Sequence, residues 1–174
     1  MLAAASVLLM AATAALLVSV LSSSASDPVT ETRPVDGAAE SAPSKQAGCA
    51  AHRWRAVLSA LDALRARAYA DLRPALLRRV YTPGSRVLRR DRAILLRYRQ
   101  RGLRVVGLRI QVLALREEAR RDGRVVLGVR DQVTGGTLVG TTVRRLLPDD
   151  APDARAITLR RSQGRWRISA VTPA

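Results

Sequence analysis

The side chains in this sequence that could carry chemistry are few, and the carboxylates come first. Asp131 continues an alternating apolar run, Val125–Val129, and so is expected on the inward face of a strand. On that face a carboxylate whose pKa is tuned by its surroundings can act as a general base in a pocket. It can equally pair with an arginine of the neighbouring strand, such as Arg144 or Arg145. Asp131 is therefore a weak catalytic candidate, and no stronger one is found.

Histidine and cysteine add no further site. The chain contains one of each, His52 and Cys49. His52 lies at the edge of the folded part, where an exposed residue at the start of a helix is the simpler interpretation. Cys49 lies in a polar stretch, where we expect a free exposed thiol. One histidine, one cysteine and scattered acids do not supply a metal-ligand cluster, and no glycine-rich segment has the setting of a phosphate loop. We expect neither a metal nor a cofactor.

Three helices are predicted to precede the strand that carries Asp131. Apolar residues recur at spacings of three and four over 54–68, which indicates the inner face of an amphipathic helix. Asp62, central in this helix, is expected on its solvated side. A short second helix is predicted over 74–81, followed by a turn. The third is predicted over 91–101, with Asp91 as its N-terminal cap.

After Gly102 the apolar period changes to two, which is typical of half-buried strands. Strands are predicted around 106–112, 125–133 and 138–147, with turns at Asp122-Gly123 and Gly135-Gly136, and a last hairpin is predicted over 156–171. Helices that precede four or five antiparallel strands give an α+β domain, with the helices packed on one face of the sheet.

The N-terminal part of the chain does not look globular. Residues 2–21 carry no charge and are long enough to cross a bilayer as a helix. Ser23 and Ala25 fit signal-peptide cleavage after Ala25, so residues 1–25 are either a cleaved signal peptide or an uncleaved single-pass anchor. Residues 26–51 are predicted to be a disordered linker, and 52–174 to form the domain. We expect that domain outside the cell membrane, either tethered to it or secreted.

The charge of the chain is concentrated in the predicted domain. The formal net charge is +16; residues before His52 contribute −2, and the remainder holds 28 arginines against 10 acids. Such a field favours an anionic lipid surface, an envelope polymer or an acidic protein partner. Nucleic acid is disfavoured, because aromatic residues make up 3% of the chain and offer no stacking platform. The candidate anion contacts are six arginines in or near the second and third helices: Arg78, Arg79, Arg89, Arg90, Arg97 and Arg101.

The segments "LDALRARAYA", "LLRRVYTPGS", "DRAILLRYRQRGLRV" and "GRWRISAV", in this order, resemble an uncharacterised group of bacterial secreted or membrane-anchored proteins. The order of elements over 52–172 resembles the nuclear transport factor 2-like, or SnoaL-like, cone-fold superfamily. The resemblance implies three helices packed into a curved antiparallel sheet around a pocket. Candidates to line that pocket are Trp54, Tyr69, Tyr81 and Tyr98. Many domains of this superfamily dimerise through the sheet, so a homodimer is a further expectation.

The superfamily includes isomerases, dehydratases and many binding or assembly domains, so its fold does not decide activity. Its catalytic members place an Asp inside the cone, often with a His or Tyr, whereas the histidine here lies at the domain's edge. Our first hypothesis is a non-enzymatic, exported or membrane-tethered binding or assembly module with a strongly basic surface. The alternatives are a small-molecule-binding or isomerase/dehydratase-like protein using a pocket carboxylate, and nucleic-acid binding if the chain is cytosolic.

Overall fold

The computed structural model describes residues 42–174, with side chains from residue 48 onward. The helical part consists of α1 (Ala42–Ala70), a 3₁₀ turn (Pro74–Leu76), α2 (Leu77–Val80) and α3 (Arg86–Gln100). The strands are β1 (Arg104–Arg121), β2 (Arg124–Val139), β3 (Arg144–Leu146), β4 (Asp153–Ser162) and β5 (Arg165–Pro173). The predicted α+β class, with three helices before an antiparallel sheet, is confirmed.

The first helix follows the predicted apolar face. Trp54, Leu58, Leu61 and Ala68 are buried, which matches the spacing of three and four. The helix begins at Ala42, whereas the sequence pattern places the start of the domain near His52. No helix among residues 42–174 is both long and apolar enough to cross a membrane. The predicted apolar helix at 2–21 lies outside the described residues.

The third helix begins earlier than predicted, and Asp91 is not its cap. Ser85 is the N-terminal cap, and its hydroxyl accepts a hydrogen bond from the Leu88 amide at 3.3 Å. Asp91 lies inside the helix, on the face that buries Val87 and Leu95. The misassignment arose because Asp is common both at caps and, when it has partners, in buried polar clusters.

The sheet is antiparallel, with strand order β1-β2-β4-β5 and β3 paired with the end of β2. On β2, Val125, Leu127 and Val129 are buried while their neighbours in the sequence are more exposed, as the period of two predicts. The helices therefore cover one face of the sheet: α1 packs along β1, and α3 contacts β5. At the edge, the Thr82 amide donates to the Ile168 carbonyl at 2.9 Å, which attaches the segment after α2 to β5.

The predicted turn at Gly135-Gly136 is wrong, because β2 continues through both glycines to Val139. A side chain at Gly135 would lie 2.8 Å from the Arg109 guanidinium, and one at Gly136 would lie 2.9 Å from Leu147. These glycines thus make room for side chains that lie over the strand, which is a recognised use of glycine within a sheet. The third predicted strand is accordingly reduced to Arg144–Leu146.

Candidate functional site

A buried carboxylate lies where the three helices meet. Asp91 of α3 is 3% exposed. Arg65 donates to both of its oxygens, at 2.9 and 3.0 Å. The Tyr69 hydroxyl donates at 2.5 Å and the Tyr81 hydroxyl at 2.9 Å. Four donor atoms therefore contact the two oxygens of a carboxylate that is almost inaccessible to solvent.

The sequence builds this Asp91 cluster from local spacing. Arg65 and Tyr69 are four residues apart on α1 and so project from one face of the helix, where the guanidinium also lies 5.3 Å from the Tyr69 ring centroid. Tyr81 is the extended residue that ends α2. The cluster therefore connects all three helices through a single side chain.

The ionisation state of the cluster follows from its geometry. Burial opposes the charge of Asp91, but the Arg65 charge and the hydrogen bonds from the three donor side chains outweigh it and hold the pKa of the carboxyl below its ordinary value. Burial, followed by the Asp91 charge, raises the pKa of both tyrosine hydroxyls, which keeps them protonated as donors. A lowered carboxyl pKa contributes stability above the unfolded-state pKa and loses it as pH falls through the folded-state value.

Three of the four aromatic candidates, Trp54, Tyr69 and Tyr81, are buried in the core and have polar partners there, and the half-buried Tyr98 packs against that core. Tyr69 and Tyr81 belong to the Asp91 cluster, and Tyr98 packs edge-on against Tyr69 with ring centroids 5.9 Å apart. The Trp54 indole N–H donates to Glu117 at 2.6 Å, and its ring meets Trp166 edge-on at 5.1 Å. These contacts stabilise the packing of the helices on each other and on the sheet.

Asp131 lies on the inward face of β2, as its phase predicts, and is 4% exposed. Its carboxylate accepts a hydrogen bond from Arg155 of β4. Arg144 and Arg145, the partners suggested by sequence, lie instead on β3, where both are exposed. Burial raises the pKa of the Asp131 carboxyl, and the Arg155 charge opposes that shift.

A third carboxylate, Asp62, lies in an open groove. The groove has a volume of about 370 Å³ and runs between α1 and β1; it is lined by Ser59, Asp62, Ala63, Leu108, Arg109, Ile110, Gln111 and Thr134. Asp62 is half-buried, not solvated as the sequence suggests. Burial raises the pKa of its carboxyl to about 6, with Arg65 opposing that shift and Asp131 adding to it. A carboxyl with such a pKa can exchange protons near neutral pH.

The arginine candidates lie on exposed surfaces. Arg78 and Arg79 are exposed on α2. Arg90, Arg97 and Arg101 are exposed and recur at helical spacing with Arg86 on the outer side of α3, and the exposed Arg89 lies beside them. We call the set Arg86, Arg89, Arg90, Arg97 and Arg101 the α3 arginine face. The only acid between its ends is Asp91, which is buried on the opposite side.

The remaining candidates contribute little to a site. His52 and Cys49 are both exposed on α1. Among the residues described, no group of three or more His, Cys, Asp or Glu side chains lies close enough together to hold a metal ion.

Comparison with known proteins gives distant structural likenesses only. No family model matches the chain, and no curated protein sequence does. The intermembrane space region of the chloroplast protein ARC6 is 16% identical, with a TM-score of 0.49 over 71% of this chain and 95% of that one. An uncharacterized protein with a cystatin-like fold from Caulobacter vibrioides is 13% identical, with a TM-score of 0.41 over 69% of this chain and 89% of that one. Neither likeness supports an argument about activity or partners.

The Asp91 cluster predicts a large loss of stability when the carboxylate is neutralised. In Asp91→Asn, Arg65 stays buried and charged but no longer has a negatively charged partner. The free energy of unfolding should therefore fall by about 3–5 kcal/mol. Urea denaturation at neutral pH measures this. Asp71→Asn, which breaks the exposed Arg67–Asp71 pair, is the matched control and should change stability by less than about 1 kcal/mol. If both substitutions lowered the free energy of unfolding equally, Asp91 would not be the buried charge that stabilises the three helices.

The raised pKa of Asp62 predicts a pH-dependent gain of stability in Asp62→Asn. Ionising this carboxyl is harder in the folded state, so the native protein loses stability as pH rises from 3.8 through about 6. The variant should therefore unfold like the wild type in acid and be more stable by about 1–2 kcal/mol above pH 7. Urea denaturation over a pH series tests this, with the exposed Asp122→Asn as control. A difference that does not vary with pH would contradict the raised pKa.

Proposed function

We propose that this protein is an exported or membrane-tethered, non-enzymatic binding module with a cone-like α+β domain whose α3 arginine face contacts an anionic lipid surface. The order of helices and strands, and the packing of the helices on one face of the sheet, support the cone-like assignment. The apolar segment at 2–21 supports the tether or export signal.

The observation that carries the proposal is where the folded domain places its charges. From His52 onward, 24 of the 28 arginines are exposed, against six of the ten acids. The remaining four arginines and four acids are buried or half-buried, and their charges cancel. The whole excess of +18 therefore stays on the surface. A surface of this kind attracts anionic lipid head groups at a membrane.

The α3 arginine face concentrates this charge. Arg86 lies three residues before Arg89 and four before Arg90, and Arg97 lies four before Arg101. Like charges at these helical spacings destabilise one another. Arg86, Arg89 and Arg90 also lie near the positive end of the helix dipole, and the first turn contains no acid. A negatively charged surface would relieve both repulsions at once, which is a physical reason to place the partner here.

The tether would strengthen even a weak contact of this kind. A domain held near a bilayer by its own N-terminal segment meets the lipid surface at a high effective concentration. Juxtamembrane arginines contribute about 1 kcal/mol each at an anionic membrane. Envelope polymers and acidic proteins are the competing partners.

The proposal predicts that the α3 arginine face is buried against a bilayer only when the bilayer contains anionic lipid. We would label full-length protein at Ala93→Cys, an exposed position on that face, in a Cys49→Ser background with an environment-sensitive dye. The protein would be reconstituted into phosphatidylcholine vesicles with or without phosphatidylglycerol. A blue shift that requires phosphatidylglycerol and is reversed by salt is expected. Because each arginine is worth about 1 kcal/mol, Arg90→Gln/Arg97→Gln should weaken the contact about 30-fold.

The matched control is Arg144→Gln/Arg145→Gln, which removes the same charge from β3 and should keep the blue shift. No response to phosphatidylglycerol in the wild type would rule out the lipid partner. Loss of the response in both double variants would mean that net charge, not this face, governs the contact.

The Asp62 groove supports a second candidate function, a small-molecule carrier or isomerase-like enzyme. Its carboxyl has a pKa of about 6 and adjoins the apolar Leu108 and Ile110. A base of this kind can remove a proton next to a carbonyl group. The test is deuterium exchange at the α-carbon of cyclohexanone in D₂O. Exchange that rises with pH through 6 and is lost in Asp62→Asn would support the enzyme, and exchange no faster than in buffer would count against it.

A further inference from the structure

Four arginines, none of them a member of the α3 arginine face, form a row across the sheet. Arg121 of β1 lies opposite Arg124 of β2, Arg124 lies opposite Arg160 of β4, and Arg160 lies opposite Arg167 of β5. We call this set the arginine row. Arg124 directly precedes the buried Val125, so the row lies on the sheet face turned away from the helices.

Direct opposition places these side chains close together. The Cβ atoms of residues opposite each other in an antiparallel sheet are about 4.5–5.5 Å apart, and like charges at that spacing destabilise the sheet. Within residues 48–174, none of the four arginines forms an ion pair with an acid. The row is therefore a concentration of positive charge that the described part of the chain does not neutralise.

A groove of about 350 Å³ lies against the middle of the row. It is lined by the loop Thr82–Ser85 together with Arg124, Thr158, Arg160, Ser169 and Ala170. Its lining thus combines two guanidinium groups that lie opposite each other with four hydroxyl-bearing residues, and it contains no carboxylate. Guanidinium forks and hydroxyl donors are the groups that bind phosphate oxygens.

Two buried polar atoms, one in the groove lining and one on an arginine of the row, have no hydrogen-bond partner among the residues that the structure describes. One is the Thr82 hydroxyl oxygen, in the groove lining. The other is Nε of Arg167, in the row directly opposite Arg160. A buried polar group without a partner costs stability, so each such group in a folded protein requires an explanation. A ligand in the groove that carries acceptor oxygens would supply a partner for the Thr82 hydroxyl.

The N-terminus of α3 closes one side of the groove. Ser85, the helix cap, lines it and uses its oxygen to accept from the Leu88 amide, which leaves its hydroxyl proton free to donate elsewhere. The first turn of this helix has no acidic side chain to neutralise the positive end of its dipole. The electric field of the helix therefore adds to that of the arginines.

We propose that this groove binds a phosphate group, held by Arg124 and Arg160 through their guanidinium forks and by the hydroxyls of Thr82 and Ser85. The groove shares no lining residue with the α3 arginine face, although Arg89 of that face donates to the Gly84 carbonyl in the lining at 2.5 Å. The proposal does not require the α3 arginine face to contact lipid. The phosphate could be inorganic or the terminal group of a phosphatidic acid, since both present the same oxygens, and the experiment distinguishes these sources.

The first measurement is calorimetric titration of full-length protein in a non-ionic detergent with inorganic phosphate, at an ionic strength kept constant with chloride. Saturable binding is expected in the wild type. Arg124→Gln/Arg160→Gln should raise the phosphate Kd by about tenfold or more, because two charge-assisted contacts are lost. Arg144→Gln/Arg145→Gln removes the same charge from β3 and should bind phosphate like the wild type. If both double variants weakened phosphate binding equally, the effect would come from the net charge of the protein, and the proposed site would be wrong.

Thr82→Val separates a binding role from a structural one. The substitution replaces the hydroxyl by a methyl group of similar size, and the hydroxyl oxygen has no partner in the described part of the chain. The melting temperature of the ligand-free variant should not fall, whereas its phosphate Kd should rise about fivefold. A fall in melting temperature with unchanged phosphate affinity would contradict the proposal.

The source of the phosphate is tested in vesicles. If inorganic phosphate does not bind in detergent, reconstituted protein is compared in vesicles that contain phosphatidic acid or phosphatidylglycerol. Preference for phosphatidic acid that is lost in Arg124→Gln/Arg160→Gln assigns the groove to a lipid phosphate. No saturable phosphate binding and no such preference would overturn the proposal. Arg90→Gln/Arg97→Gln should bind inorganic phosphate like the wild type and should keep any preference for phosphatidic acid over phosphatidylglycerol, even where its overall contact with anionic lipid is weaker. Failure of the groove proposal is therefore distinct from failure of the lipid-contact proposal.

Discussion

The Asp91 carboxylate is the interaction on which the rest of the structure depends. It accepts from Arg65 and Tyr69 of α1 and from Tyr81 at the end of α2, while its own backbone belongs to α3. A buried charge with this many donors fixes the three helices relative to one another, because removing any donor leaves polar atoms without partners. The Tyr81 backbone also bridges to Ile168 of β5. The same cluster therefore sets the position of the helices against the sheet edge.

Both basic surfaces follow from that arrangement. Burying Asp91 on the inner side of α3 turns the α3 arginine face outward without a carboxylate beside it. Fixing Tyr81 at the sheet edge places Thr82 and Ser85 against β5, and these residues form one wall of the groove beside the arginine row. The domain thus uses several of its few acids to organise its interior. Its surplus of arginine remains on the surface, where the charge has to be met by other molecules or by salt.

The sequence predicts the inward-facing apolar positions of this fold well, but it predicts caps, turns and long-range contacts poorly. Apolar spacing is a property of neighbouring residues, so it correctly predicts the inner face of α1 and the inward phase of Asp131. Ser85 is a residue type that commonly caps helices and could have indicated the start of α3. Because it follows Pro83-Gly84, however, the sequence pattern assigns it to a turn. Asp91 was missed because its role depends on donors from two other helices. The groove at Asp62 depends on where β1 crosses α1, and the arginine row depends on strand register, which alternating residues do not specify.

The arginine row also limits how two copies of this domain could associate. A two-fold dimer brings the same surface patch of each copy together. If the sheet faces were apposed, two rows of guanidinium groups that no acid among residues 48–174 pairs with would enter one interface, where leaving a charge unpaired is costly. Dimerisation through this face would therefore need either an offset that separates the rows or anions trapped between them. In the second case, oligomeric state and anion binding would be linked, because each anion held by both rows would stabilise the dimer over the monomer.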